Sequence, residues 1–116
     1  MPNEPATAAA VRNVVFVPGA AVVLTLREPR EKFWGVLLEL SAAGISLRGL
    51  DLNSFDDFVH LVRSGEPACP AAVFFPMHRV ERMEADEHSG DLPSLKERFH
   101  EKTGRSLAHL FGRYGE

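Results

Sequence analysis

The chain has 116 residues, 45% of them apolar and 25% charged, with a formal net charge of -3. Such values belong to an average soluble domain, and this length fits one unit that buries roughly two thirds of its unfolded surface without staples. Cys69 is the single cysteine, so no intrachain disulfide forms, and apolar stretches such as residues 20–24 and 34–38 fall far short of the ~20 residues a membrane helix needs. The opening MPNEPATAAAVRN has no basic start followed by an apolar segment, so a cytoplasmic location is expected.

Residues 1–13 carry two prolines and an alanine run with no apolar period, which predicts a flexible arm. Val14 to Val17 lead into the turn dipeptide Pro18-Gly19, and Ala21 to Leu26 is rich in β-branched residues, as strands are. The polar group Arg27 to Glu31 predicts a hairpin turn, Phe33 to Leu40 the return strand, and Gly35 within it a bend or bulge. After the turn Ser41-Ala42-Ala43-Gly44, residues 45–50 alternate apolar with polar as a half-buried strand does. The period then changes. Phe55, Phe58, Val59 and Val62 form one helical stripe, with Ser54 and Asp57 at capping-box spacing and Gly65 and Pro67 as the stop, which predicts an inserted helix over 54–64.

Residues 72–75 and 80–85 read as two further strands. Pro76 cannot donate to a ladder, so the first of these is predicted to be an edge strand or to bend there. Residues 87–90 are a polar linker, and 88–116 are predicted as a helical C-terminal segment. Asp91 is its expected cap, Pro93 falls in its first turn, Leu92, Leu95 and Phe99 form its stripe, and Leu107, Leu110 and Phe111 mark a last short helix.

Charge is distributed unevenly. Residues 1–50 hold five Lys/Arg and four acids, for a net +1; residues 51–91 hold three and nine, for -6; and residues 92–116 hold five and three, for +2. The acidic middle opposes a phosphate backbone, and no basic face of the kind nucleic-acid binders carry stands out.

Three strands in meander, an interruption, and two short strands meeting near His78-Arg79 resemble the SH3-like or Sm-like small barrel. Residues 24–47 resemble the first Sm motif through Phe33-x-Gly35-x-Leu37 and Leu47, and residues 74–83, FFPMHRVERM, resemble the second. The resemblance implies an α+β fold: a five-stranded antiparallel barrel over residues 14–87 with one inserted helix. In the bacterial RNA-chaperone branch a Lys-His pair at this turn contacts RNA; here the pair is Met77-His78, so His78 alone carries over. The Asp and Asn or Gln with which that family reads bases are replaced by Ser41-Ala42-Ala43-Gly44. Glu39-Leu40-Ser41-Ala42-Ala43-Gly44 is also similar to the D/N-x-S-x-x-G signature of PilZ domains, which bind cyclic di-GMP. Its partner R-x-x-x-R is represented by Arg27 and Arg30 alone, one residue too close together.

Chemistry-bearing residues are sparse. Glu97-x-x-His100 places a carboxylate and an imidazole on one helix face but lacks the second pair of a di-metal bundle, so no metal or cofactor is expected. Neither Cys69 nor Ser41 sits in a nucleophile setting, and the acids Glu81, Glu84, Asp86 and Glu87 lack calcium-loop order, so they are taken as a solubilising edge. The expected site is an anion or partner patch of Arg48, His78, Arg79 and Arg82, converging if the third and fifth strands are neighbours. Trp34 lies opposite the face of Phe33 and Leu37 and must be covered by a helix or by a partner, which makes it a candidate partner surface. These features predict a non-catalytic interaction module without a membrane role. Its expected partner is protein, including self-association, with RNA as the alternative and cyclic di-GMP as the second. Pro76 would remove a donor from the strand that links Sm rings, so a six- or seven-membered ring is not expected.

Overall fold

In the computed structural model of the chain, residues 15–108 are described. The predicted N-terminal arm, and Leu110 and Phe111 of the last predicted helix, lie outside them. The elements are β1 (Ala21–Leu26), β2 (Glu31–Leu40), β3 (Gly44–Asp51), α1 (Phe55–Arg63), β4 (Ala71–Pro76), β5 (Val80–Ala85) and α2 (Leu95–Thr103). The strands form one antiparallel sheet in the order β4-β3-β2-β1-β5. The fold is α+β, with all five strands and the inserted helix where residue patterning predicts them. No ladder joins β4 to β5, so the sheet is open where the sequence predicts a closed barrel. No helix among the described residues is long and apolar enough to cross a membrane.

Both faces of this sheet are apolar, and the two-residue period sends alternate side chains to different cores. Val22, Leu24, Leu26, Leu37, Ile45 and Leu47 form one buried cluster, joined by Phe33, Val73, Phe75, Val80 and Met83 from all five strands. Trp34 and Val36 point the other way, into a second cluster with Phe55, Phe58, Val59 and Val62 of α1 and Phe99 of α2. Trp34 and Phe99 are fully buried. The indole meets Phe55 edge-on at 5.3 Å, and Phe99 stacks on Phe58 at 5.9 Å. At the centre of the β2–β3 ladder Gly35 faces Gly49. A Cβ on Gly35 would strike the Arg48 carbonyl oxygen and come within 2.6 Å of Gly49 Cα, so only glycine lets these backbones approach as they do.

Ser54 is the N-cap residue of α1, as predicted, but its side chain makes no cap bond, and α2 starts later than predicted. A 3-10 turn, Leu52–Ser54, precedes α1, and Asp51 rather than Ser54 supplies the side-chain cap, accepting the Asn53 N–H at 2.7 Å. Asp56 and Asp57 lie in the first turn of α1, where carboxylates favour the positive end of the helix dipole. α2 begins at Ser94, not at Asp91. Ser94 and Glu97 form a reciprocal capping box, Glu97 N–H donating to Ser94 Oγ at 3.0 Å and Ser94 N–H to Glu97 Oε1 at 2.6 Å. Leu92 therefore precedes the helix and is exposed instead of continuing its stripe. Gly104, at φ 74, ends α2 in the left-handed conformation that glycine adopts without a Cβ penalty.

Candidate functional site

The four members of the predicted cationic patch do not converge. β2 and β1 lie between β3 and β5, so Arg48 and Arg82 stand three strand spacings apart, roughly 14 Å across the sheet. Arg48 donates through Nη1 to Pro70 O at 3.0 Å. Arg82 is exposed and pairs with Glu84 at 3.5 Å. Arg79 closes the fold at the β1–β2 turn, where its guanidinium donates to Arg27 O at 2.6 Å, Pro29 O at 3.0 Å and Glu31 Oε1 at 2.8 Å. Its Nε and Nη2 donors are thus engaged by the protein's own backbone and by one carboxylate. His78 is exposed, and its carbonyl accepts from Arg27 Nε at 3.0 Å.

The residues shared with the cyclic di-GMP signature are also held apart. Ser41 closes the β2–β3 turn, its N–H donating to Gly44 O and its Oγ accepting from Ala43 N–H at 3.2 Å. Arg27 and Arg30 sit at the opposite end of β2, whose ten residues span roughly 30 Å, and Arg30 pairs with Glu81 at 3.2 Å. No single phosphate could touch both sets.

Trp34, a predicted partner surface, is covered by the two helices, so it is part of the core and not a docking surface. Burial makes its indole N–H require an acceptor. That acceptor is Asp86 Oδ2, at 3.0 Å. Sequence patterning groups Asp86 with the solubilising acids, but the residue is 6% exposed and performs two tasks. It accepts the indole, and it also accepts the first two amides of α2, from Leu95 at 2.8 Å and Lys96 at 2.8 Å. The signal that could have found it is Trp34 itself: an indole buried at a strand centre needs an acceptor from a neighbouring element.

Other titratable groups lie at the surface. His88 bonds Glu97 through Nδ1 at 3.0 Å and Gly90 O through Nε2 at 2.8 Å, which draws the loop after β5 onto the start of α2. The Glu97 hydrogen bond, then the Gly90 carbonyl, raise the His88 pKa above its ordinary value; the Ser94 amide, then His88, lower that of Glu97. Among the described residues no three His, Cys, Asp or Glu side chains gather in metal-binding geometry. Cys69 is exposed, beside Pro70.

The outer edge of β4 pairs with no strand among the described residues. Met77 N–H donates to Ala43 O, so by the two-residue period Ala71, Val73 and Phe75 direct their backbone groups toward β3. Ala72, Phe74 and Pro76 direct theirs outward, and Pro76 has no N–H to offer. Pro76 thus sits where a proline costs the ladder nothing, at the free side of an edge strand, as the sequence predicts. The strand reads AAVFFP and carries no charge. Phe74 rests on Gly44, a Cβ there falling 2.7 Å from its Cζ, and is still 53% exposed. Met77 follows it at the surface, 36% exposed. The opposite edge, β5, reads VERMEA and presents Glu81, Arg82 and Glu84.

No family model, curated protein or solved structure matches this chain.

Proposed function

We propose that this chain is a non-catalytic interaction module that binds protein through the free edge of β4, on a sheet curled as a half-open barrel of the SH3-like or Sm-like kind. The curl is supported by the inner cluster, in which Val22, Leu24, Leu26, Leu37 and Leu47 are all 0% exposed although no described helix covers that face. The glycine pair Gly35–Gly49 and the tight turn Met77–Arg79 between β4 and β5 agree with it.

The observation that carries the binding reading is the uncharged edge with its half-exposed phenylalanine. An edge strand offers unpaired N–H and C=O groups, and proteins that leave one unused protect it with charge, as β5 does. An extended partner segment adding to β4 would take its backbone bonds and cover Phe74. RNA and cyclic di-GMP are disfavoured by the dispersal of Arg48, Arg79 and Arg82 and by the distance between Ser41 and Arg30.

Two measurements test this proposal. Titration at physiological salt with labelled single-stranded RNA, and separately with cyclic di-GMP, should give dissociation constants weaker than about micromolar, the range of non-specific electrostatic binding. Submicromolar, saturable binding of either would overturn the protein-partner reading. Proteins retained from extract by the wild-type chain should be lost with Phe74→Asp, and equal retention by both would reject the β4 edge.

A further inference from the structure

Resting on that reading of β4, we propose that the edge is occupied by β4 of a second copy, antiparallel and related by a two-fold axis through Val73. The strand is complementary to its own reverse. With Val73 opposite Val73, Phe74 faces Ala72 and Phe75 faces Ala71, so on each side of the sheet a large ring meets a small side chain. Neither neighbouring register does this. Moving the axis to Phe74 opposes the two Phe74 rings, and moving it to Ala72 opposes alanine to alanine and leaves Phe75 beyond the overlap.

The backbone groups fit the same axis. The outward N–H groups of β4 belong to Ala72 and Phe74, and in this register each lies opposite the other's carbonyl, giving four hydrogen bonds across the axis. Pro70 and Pro76 bracket the strand, so the pairing has no donor with which to extend at either end. Charge favours the self-pairing as well, since β4 brings none, whereas pairing β4 with β5 would press Glu81 and Glu84 against an apolar strand. The β5 edges left at the two ends of the joined sheet carry those charges, so assembly stops at two copies. An interface of one strand pair is small, which puts the dimer in the weak, concentration-dependent class.

The test is sedimentation equilibrium of the full chain from about 10 µM to about 1 mM, the range in which small interfaces dissociate. The average mass should rise toward twice that of the monomer, and the Ala72 and Phe74 amides should gain exchange protection over the same range. Ala72→Pro deletes an outward N–H that makes no bond within the monomer, and Phe74→Lys sets a charge beside the axis, against Ala72 of the second copy. Each should weaken association at least tenfold while circular dichroism shows an unchanged cooperative melt. A chain that stays monomeric throughout, a dimer indifferent to both variants, or a mass of six or seven copies would overturn the proposal. If the chain is monomeric and Phe74→Asp still abolishes capture of other proteins, the docking edge stands and the second copy is rejected as its occupant.

Discussion

Replacing Asp86 should destabilise the fold more than any other change of a charged side chain among the described residues. The carboxylate accepts three bonds with two oxygens: Oδ1 takes Leu95 N–H, and Oδ2 takes both Lys96 N–H and the Trp34 indole. In Asp86→Asn one oxygen becomes an NH2 group. The better orientation keeps the carbonyl at the Oδ2 position, which sets the new donor against Leu95 N–H and leaves the other two bonds without charge assistance. A hydrogen bond to a charged group contributes about 1.5–3 kcal/mol, and a carboxylate at a helix N-terminus about 0.3–1 kcal/mol, so the loss is about 2–4 kcal/mol. Asp86→Ala removes all three of these acceptor contacts and should cost about 4 kcal/mol or more, much of the total for a domain of this size. Trp34 is the sole tryptophan, so its fluorescence follows the site directly during urea unfolding. At about 4–8 °C per kcal/mol, the Asn variant should melt at least 8 °C lower. A midpoint within experimental error of wild type would refute the reasoning. A second check is Trp34→Phe, which removes the donor: Asp86→Asn should cost clearly less in that background, because the two residues share one bond.

Further outcomes follow from the packing. Phe58→Ala should cost about 3–5 kcal/mol by emptying the contact with Phe99, and an unchanged thermal melt would remove α1 from the core. Gly35→Ala presses a methyl group on the β3 backbone, which cannot rotate away, and should cost about 3 kcal/mol or more, read from the urea midpoint; a midpoint at the wild-type value would show the glycine pair to be dispensable. Thr25 is fully buried with Oγ1 unpartnered, so Thr25→Val should raise stability by about 1 kcal/mol, and a lowered melting temperature would contradict this. The His88–Glu97 link should stabilise most between pH 4.5 and 6.5. The raised His88 contributes fully below 6.5 and fades as pH climbs through its folded value, whereas the lowered Glu97 contributes fully above 4.5 and fades as pH drops through its own. In an NMR titration Glu97→Gln should bring the His88 pKa back toward 6.5, and no change would rule out the pairing.

What the sequence disclosed was what depends on near neighbours. The stripe Phe55, Phe58, Val59 and Val62 needs no knowledge of the rest of the chain to be read as a buried helix face, and all four residues are buried. Likewise β-branched content located β1, the polar turn after it located β2, and alternation located β3. The arginine patch failed because convergence depends on strand order. Residues on β3 and β5 are neighbours or strangers according to which strands lie between them, and period two carries no record of that. Asp86 was hidden for a related reason, since among Glu81, Glu84 and Glu87 nothing local separates the one carboxylate that lies under an indole. The N-cap residue of α1, Ser54, was legible, although the side-chain bond comes from Asp51 one turn earlier; the cap of α2 was misplaced because Asp91 has a side chain as suitable as that of Ser94.

The two cores share one sheet, and that changes what fixes its alignment. In a sheet wet on one side, a one-residue slip drives apolar side chains into water, and hydrophobicity alone forbids it. β2 reads FWGVLL through its middle, apolar on both sides, so a slipped β2 would still bury oil against oil. Discrimination falls instead to shape and to one polar group. A slip would set a side chain against the backbone that Gly35 and Gly49 bring into close approach, and would carry the indole N–H of Trp34 away from Asp86. Glycine and tryptophan, adjacent on the strand, thus act as lock and key for its register.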